Sequence, residues 1–323
     1  MKYEREAARH VAFDAIKAVG ANDSVAKSLT EAVISAELVG SKAVGFAHLP
    51  DYLDGFAKGR IATNAEPEVS FPAPAAVGVD AHGGIAQLAY DRVFDELVGR
   101  AKIYGVVTLA VSNSFTVGEL GYYTRRLAES GLVALGACNA TAQMTTLESG
   151  KAVFGTNPIS FAAPVANGRP FVIDQASSAT AFVSVRKAAE TGGSIPEGWA
   201  VDGQGMPTTD ARAAINGLLL PFGGARGANI AMMLEILAAG VTGANWSIDA
   251  PHYAQGSDTP GVGLFLMAVK ANVFADDFEA RLAAQLERLG RAGVHIPGRH
   301  IKVHEIDVSD DVMNKVRSFG SAG

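Results

Sequence analysis

From residue 76 to residue 140 the sequence alternates between short apolar segments and longer amphipathic ones. The segments AVGVDA (76–81), VVTLAVSN (106–113) and LVALGACNA (132–140) have the length and composition of strands. Residues 86–104 and 118–130, which lie between them, have helical spacing. Because strands separated by helices pack as layers, this pattern predicts an α/β fold.

The regions on either side of this core are also patterned. Residues 4–19 and 24–39 are predicted to be helices, each closed by a glycine, and Pro50 starts a short helix that ends at Gly59. The Pro-rich segment 63–76 is predicted to be an irregular linker. Further helices are predicted near 178–190, 228–241, 276–290 and 309–319, and further strands, the first of them buried, at 170–176 and 261–269.

Charge and cysteine content exclude several classes of protein. The net charge is −6 without a run of Lys or Arg, which argues against a nucleic-acid or anionic-membrane partner. Cys138 is the only cysteine and is predicted to be a core residue; with no apolar signal segment at the start, this favours a cytoplasmic location. The apolar stretch 228–246 carries Glu235 and glycines, so it is predicted to be a buried helix rather than a membrane span.

The sequence has no standard phosphate-binding motif. It contains neither GxGxxG nor GxxxxGK[ST], so an ordinary Rossmann site or P-loop is not supported. Glycine-containing turns do meet helices at TVGEL (116–120) and PFGGARGAN (221–229), and such turns offer free backbone N–H groups to a phosphate. Arg226 in the second turn adds a charge suited to the same ligand. The alternative is that the glycines of the second turn only allow close packing.

Signals for a metal or a nucleophile are weak. His295, His300 and His304 are spaced like metal ligands, but Pro297 and Gly298 interrupt any helix between the first two. There is no G-x-S-x-G motif, so nothing positive supports a serine nucleophile. We therefore predict no metal site.

His48 and Asp174 are well-placed polar residues. His48 lies between a glycine turn and a Pro-initiated helix, and histidine exchanges protons near neutral pH. Its alternative is a surface or interfacial residue without chemistry. Asp174 ends a predicted strand, where ligands bind in α/β sheets, or it caps the next helix. The turn GTNP (155–158) offers a hydroxyl and an amide to a small polar ligand, or is only a turn.

Four longer stretches carry a family resemblance. They are VFGTNPISFAAP (153–164), PFVIDQASSA (170–179), IPEGWAVDGQGMPTTD (195–210) and LLLPFGGARGANIAMMLEIL (218–237). With them, the chain resembles the malate/L-lactate dehydrogenase family of the non-Rossmann type from about residue 5 to about 305. The resemblance implies a non-Rossmann NAD(P)-binding mixed-sheet fold of the sulfolactate dehydrogenase-like type, with a helical N-terminal part. It also explains why GxGxxG is missing.

On that basis we divide the chain into three parts. Residues 1–75 form the helical, substrate-side segment and residues 76–260 the NAD(P)-binding α/β region. Residues 261–323 form a strand-helix segment that packs back on the other lobe. The family is typically dimeric, so the resemblance also implies a homodimer.

The resemblance implies a set of site residues. Thr156 matches a substrate-contacting threonine, and His48 aligns with the substrate-binding arginine. The cofactor, NADP or NAD, is expected to contact internal segments and a C-terminal one near His295 to Ile301. The cofactor-binding residues implied are Thr116, Val117, Gly118, Glu119, Leu120, Asp174, Gln175, Ala176, Ala225, Arg226, Gly298 and Arg299.

The departures from the family pattern concern proton transfer. Members usually carry Ser-His-Gly, in which the His donates the proton and the Ser helps orient it, where this chain has Ala43, Val44 and Gly45. The other departures are Ser184 at an acidic relay position of the reductase branch, Phe115-Thr116-Val117 in place of Asn-His-Phe, and Ala225-Arg226 in place of His-Lys.

These departures leave three alternatives. Reduction of a ketone needs a proton on oxygen as well as a hydride on carbon, and general acid catalysis contributes about 10²–10⁴-fold. In the first, His48 acts as the acid or instead pairs with a carboxylate of the substrate. In the second, the substrate is a cyclic iminium that already carries its proton. In the third, the chain binds a nucleotide or a carboxylate without turnover. We favour NAD(P)H-dependent reduction of a small 2-imino or 2-oxo acid, and place the imine first because it tolerates Ala43 and Val44.

Overall fold

The computed structural model describes residues 2–298 and 305–320, and its strands mostly join into one central sheet. The strands are β1 (Lys2–Glu4), β2 (Glu68–Ala73), β3 (Ala76–Asp80), β4 (Val106–Ser114), β5 (Leu132–Cys138), β6 (Ile159–Ala163), β7 (Phe171–Gln175), β8 (Ala200–Val201), β9 (Pro207–Thr208), β10 (Leu218–Leu219), β11 (Val262–Lys270) and β12 (Glu305–Asp307).

The helices lie between and around these strands. They are α1 (Arg5–Ala18), α2 (Asp23–Val39), α3 (Leu49–Ala57), α4 (Ala86–Tyr104), α5 (Leu120–Glu129), α6 (Phe182–Glu190), α7 (Ala211–Ile215), α8 (Ala225–Glu235), α9 (Phe278–Arg291) and α10 (Asp310–Gly320). A 3₁₀ turn spans Lys42–Val44, and a π-helical segment, Ile236–Val241, extends α8. In the described ranges, none of the helices is both long and apolar enough to cross a bilayer.

The central sheet is mixed. Among the described residues it has seven strands in the order β2-β3-β4-β11-β5-β6-β7. Only β3 and β4 pair in parallel; the other neighbours are antiparallel. β11 therefore lies at the middle of the sheet although it comes late in the chain, so the predicted boundary at residue 261 runs through a hydrogen-bonded sheet.

The strands and helices that the alternating pattern predicts are present. β3, for example, alternates between half-buried and fully buried residues, as expected for a strand packed on one face. Gly105 caps the end of α4 with a φ of +80°, a left-handed conformation that glycine adopts without strain. Buried apolar side chains of β3, β4, β5 and β11 pack against α4 and α5 in one continuous core.

A second core joins the N-terminal helices to the end of the chain. Apolar residues of α1, α2 and α3 pack with those of β12 and α10. β1 pairs antiparallel with β12, which brings residues 2–4 next to residues 305–307. The end of the chain therefore packs on the N-terminal helices.

Two predictions about strands are wrong. The linker predicted at 63–76 contains β2, an exposed edge strand in which a register irregularity between Ser70 and Ala73 accommodates Pro72. The strand predicted as buried at 170–176 is β7, the opposite edge of the sheet, and its residues are half-buried or exposed. In both cases the residues carry strand-forming side chains, but edge position depends on distant partners.

A third core of buried apolar side chains lies beside the central sheet. α6, α7 and the small sheet β10-β8-β9 enclose apolar side chains, among them Met144, Val185 and Leu219. The helix predicted at 228–241 becomes π-helical after Glu235. This segment packs so closely on β11 that a Cβ on Gly263 would lie 1.8 Å from the carbonyl oxygen of Ala238.

Candidate active site

His48 is held in a defined orientation just before α3. Its Nδ1 lies 2.9 Å from Oδ2 of Asp51, three residues later on the helix. Its Nε2 faces the Oγ1 of Thr116 at 3.4 Å, a long contact for a hydrogen bond. The rings of Tyr52 and Tyr253 meet the imidazole edge-on, with centroids at 4.9 Å and 5.6 Å. One ring nitrogen is therefore firmly paired and the other is available.

The backbone of Thr116 and Val117 is fixed from below. The hydroxyl of Tyr52 donates to the Thr116 carbonyl at 3.2 Å, and Nε2 of Gln87 donates to the Val117 carbonyl at 3.0 Å. Burial raises the pKa of Tyr52 to about 12, so its phenol stays protonated and remains a donor. Gly118 follows with φ of +73°. These hydrogen bonds hold the turn in a defined position next to His48.

Two carboxyl groups converge at the start of α5. Oδ2 of Asp174 accepts a hydrogen bond from the Gly121 backbone N–H at 2.7 Å, and Glu119 pairs with Arg125 at 2.9 Å. Burial raises the pKa of both carboxyls, and each pKa is lowered in part by Arg125. For Glu119, the charge of Asp174 raises the pKa further. Asp174 thereby occupies the backbone N–H of Gly121, the residue directly after the TVGEL turn.

A cavity of about 430 Å³ opens next to these carboxyl groups. Glu119, Asp174 and Gly298 all line it, so it joins three of the implied cofactor segments. Arg125 and Arg169 add guanidinium groups to the same wall. Hydroxyl-rich and phosphate-bearing ligands are matched by this mixture of acceptors and cations. Arg299, like His300 and His304, lies outside the described residues.

Thr156 belongs to a neighbouring hydrogen-bonded group. The backbone N–H of Ser177 donates to the Thr156 carbonyl at 2.8 Å, and the Ser177 hydroxyl donates to the carbonyls of Thr156 and Asn157. Asn157 has φ of +27°, and its Nδ2 donates to Oε2 of Glu235 at 2.6 Å. The Thr156 turn is thus tied both to the residues after Ala176 and to α8.

The start of α8 joins the same group through the backbone. The Phe222 N–H donates to the Ser177 carbonyl at 3.0 Å. A Cβ on Gly227 would lie 2.0 Å from the Phe222 carbonyl oxygen, so this glycine is needed for close packing. Gly223 and Gly224 instead have positive φ values, and a Cβ added to either would meet no neighbouring atom within 4 Å. The exposed Ala225 and Arg226 follow this open turn.

The site residues that the family resemblance implies therefore lie in several adjoining groups, and they do not all present a side chain to a ligand. Val117 and Leu120 are buried in the core, so only their backbone faces a ligand. Gln175 is exposed at the end of β7, and Ser184 lies on α6. Cys138 is buried, and burial raises its thiol pKa, which agrees with a core role. Among the described residues, His, Cys, Asp and Glu form no group of three suited to a metal.

The turn that carries Ala43 and Val44 is built from its backbone. Glu37 Oε1 accepts a hydrogen bond from the Phe46 N–H at 2.8 Å. A Cβ on Gly45 would lie 2.4 Å from that same oxygen, so the close approach requires glycine. Burial raises the pKa of Glu37. Ala43 is exposed and Val44 is half-exposed, so neither side chain is needed to hold the turn.

Comparison with known proteins identifies the family. The sequence profile of malate/L-lactate dehydrogenase matches residues 3–305. The chain belongs to the malate/L-lactate dehydrogenase family. Among curated members, it is 35% identical to (2R)-3-sulfolactate dehydrogenase (NADP(+)) of Chromohalobacter salexigens, over 97% of this chain and 96% of that protein. It is 36% identical to Δ¹-pyrroline-2-carboxylate/Δ¹-piperideine-2-carboxylate reductase of Pseudomonas putida, over 90% and 86% of the two chains.

Solved structures of this family share the whole fold. The crystal structure of Δ¹-piperideine-2-carboxylate reductase from Pseudomonas syringae pv. tomato superposes with a TM-score of 0.91, at 33% identity and over 99% of both chains. Sulfolactate dehydrogenase from Methanocaldococcus jannaschii, at 24% identity, superposes with a TM-score of 0.89 over 99% of this chain and 97% of that one. The predicted sulfolactate dehydrogenase-like fold is confirmed.

Sequence reasoning missed several residues that shape the site. Asp51 was readable as an acid three positions after His48 near a helix start. Tyr253 and Ser177 carry no local signal, because their partners lie far away in sequence. Glu235 stands out in the sequence only as a charge within an apolar stretch, yet it anchors the Thr156 turn.

Proposed function

We propose that this protein is an NAD(P)H-dependent reductase of a small 2-imino or 2-oxo acid. The observation that carries this proposal is the similarity over nearly the whole chain to dehydrogenases and reductases of such acids. The C. salexigens relative is described as NADP(+)-dependent, which supports a nicotinamide nucleotide here. No observation favours the alternative of a binding protein without turnover.

The cofactor is proposed to lie along the 430 Å³ cavity and the two glycine turns. When bound, a reduced nicotinamide supplies a hydride to the substrate carbon. Asp174 is suited to accept hydrogen bonds from ribose hydroxyls, and Arg169 and Arg226 are suited to phosphate groups. Gly118, Gly298 and the backbone of Thr116 would allow close approach. We propose NADP rather than NAD as the cofactor on the basis of these two arginines.

The substrate is proposed to lie between His48 and Thr156. The Thr156 hydroxyl is suited to hold a carboxylate or carbonyl oxygen. Since Ala43 and Val44 carry no proton donor, His48 is the candidate acid for a 2-oxo acid. A 2-imino acid makes less demand, because its iminium form yields a neutral amine on hydride addition. For this reason the imine remains the favoured substrate class.

A substrate screen tests the proposal. NADPH and NADH absorbance is followed with pyruvate, oxaloacetate, Δ¹-pyrroline-2-carboxylate and Δ¹-piperideine-2-carboxylate. Turnover of at least one acid is expected, with higher kcat/KM for an imine. Turnover of 2-oxo acids alone would reject the imine preference. Tight nucleotide binding by calorimetry without any turnover would favour the binding-protein alternative instead.

We also propose a cytoplasmic homodimer. The dimer is supported by a series of exposed apolar side chains along α8 and the segment after it. The series comprises Met232, Met233, Ile236, Val241, Trp246 and Ile248. Exposed apolar patches mark association surfaces. Ile236→Asp should shift the protein to monomer in analytical ultracentrifugation, whereas Ile103→Asp, at an exposed site on α4, should not.

A further inference from the structure

The missing acid raises the question of where a proton for a 2-oxo acid comes from. Resting on the proposed function, we infer that Asp51 is a positioning residue that makes His48 the proton donor of this enzyme. The pair would replace the serine-histidine pair that the family carries one helical turn earlier. Asp51 itself is not placed against the substrate; it acts through the imidazole.

The contacts of His48 define which nitrogen does the work. With Oδ2 of Asp51 2.9 Å from Nδ1, the carboxylate accepts the Nδ1–H and fixes the tautomer. Nε2 then points to Thr116, in the segment proposed to hold the cofactor. The two tyrosine rings restrict rotation of the imidazole. Only 14% of the His48 side chain is exposed, enough for solvent to return a proton.

The charged groups around this pair leave His48 as the ion-pair partner of Asp51. Asp51 lies in the first turn of α3, and the described contacts give its carboxylate no ion-pair partner other than this imidazole. The neighbouring Asp54 is engaged with Lys58 and Arg60. His252 and Tyr253 approach from a separate loop, and the charge of Asp51 influences the pKa of both. A carboxylate that accepts the Nδ1–H of an imidazole fixes the orientation of the ring.

The proton balance distinguishes the two substrate classes. In 2-oxo acid reduction, hydride adds to the carbonyl carbon, the C=O π bond breaks, and the oxygen takes the proton from His48 Nε2–H. The imidazole is left neutral with its Nδ1–H still donated to Asp51, and solvent then reprotonates Nε2. An iminium substrate takes hydride and needs no proton from the protein. Asp51 therefore matters for the first class and much less for the second.

The test compares Asp51→Asn with wild type on both substrate classes. With a 2-oxo acid, kcat should fall about 10- to 100-fold, and with a 2-imino acid by no more than about threefold. KM for NADPH should not change, and Asp51→Glu should recover part of the lost kcat. Asp23→Asn is the matched control, since Asp23 is a first-turn aspartate of α2 with a side chain 87% exposed.

Equal losses on both classes, a change in KM alone, or a wild-type enzyme that reduces imines but no 2-oxo acid would each overturn the inference. Nitrogen-15 NMR of labelled histidines gives a readout without turnover, with His48→Gln assigning the signal. Neutral His48 should hold its proton on Nδ1 in wild type and lose that preference in Asp51→Asn. An Nε2–H tautomer in wild type refutes the pairing. Failure of every substrate with the Nδ1–H tautomer present would refute the proposed function and leave the pairing intact.

Discussion

Replacement of Glu235 by alanine should loosen the site from behind without touching a ligand. Its carboxyl group accepts hydrogen bonds from the Ser247 N–H, the Ser247 hydroxyl and Asn157 Nδ2, each at 2.6 Å. All three residues are buried. Asn157 keeps a second acceptor, the Ala231 carbonyl, but both Ser247 donors lose theirs. At about 1–3 kcal/mol for each unpaired buried donor, the loss of unfolding free energy is about 2–6 kcal/mol.

The same substitution should reach the substrate through Thr156. Asn157 holds a φ of +27°, which is uncommon for a residue other than glycine, and Glu235 holds its side chain in place. Relaxation of Asn157 would move the adjacent Thr156, so KM for the carboxylate substrate should rise while KM for NADPH changes less. Glu235→Gln keeps one acceptor and should fall between alanine and wild type.

Urea unfolding, followed by circular dichroism and by tryptophan fluorescence, measures the stability change. Glu287→Ala is the control, because Glu287 is an exposed residue of α9 whose ion pair with Arg291 is on the surface. Its effect should be below about 1 kcal/mol. A Glu235→Ala protein as stable as the Glu287→Ala protein, with unchanged KM, would refute the role of this carboxyl group.

Three other perturbations address the carboxyl groups and cations around the site. Gly121→Ala places Cβ 2.9 Å from Glu119 Oε1 and 3.1 Å from Asp174 Oδ2, so KM for NADPH should rise in steady-state kinetics while KM for the substrate holds. Arg169→Ala should raise KM for NADPH but not for NADH, because an exposed guanidinium suits the extra phosphate. Burial raises the pKa of Glu37 in the folded protein, so the stability that this group contributes is lost as the pH rises above its ordinary pKa of 4.5 and through the raised pKa. Glu37→Gln should lack this loss when urea unfolding midpoints are compared across pH.

The parts of the fold that the sequence predicts well are those with local periodicity. Helical spacing predicts α4 and alternation predicts β4, and the structure has both elements within a residue of the predicted bounds. β6 was missed because it follows the GTNP turn directly and is only five residues long. The insertion of β11 between β4 and β5 was not readable either. Strand order depends on pairing between distant segments, which no local pattern encodes.

The candidate site divides along the same line. His48 and Asp51 are three residues apart at a helix start, so their contact follows from helical geometry alone. The contact between Asn157 and Glu235 joins residues 78 positions apart, and it depends on how α8 packs behind the Thr156 turn. The family resemblance supplied Thr156 without supplying the carboxyl group that holds its neighbour. Supporting residues of this kind become visible only with the fold.

The turn at residues 42–45 explains how the chemistry can change while the scaffold persists. Its conformation depends on Glu37 and on the absence of a side chain at Gly45, whereas Ala43 is exposed and Val44 is half-exposed. Substitution at those two positions therefore costs little folding free energy, so a proton donor there can be lost without loss of the fold. His48 sits one turn further on, at the start of α3, where Asp51 and two tyrosines already fix an imidazole. A donor at that position needs no change in the backbone, which is why we place it there.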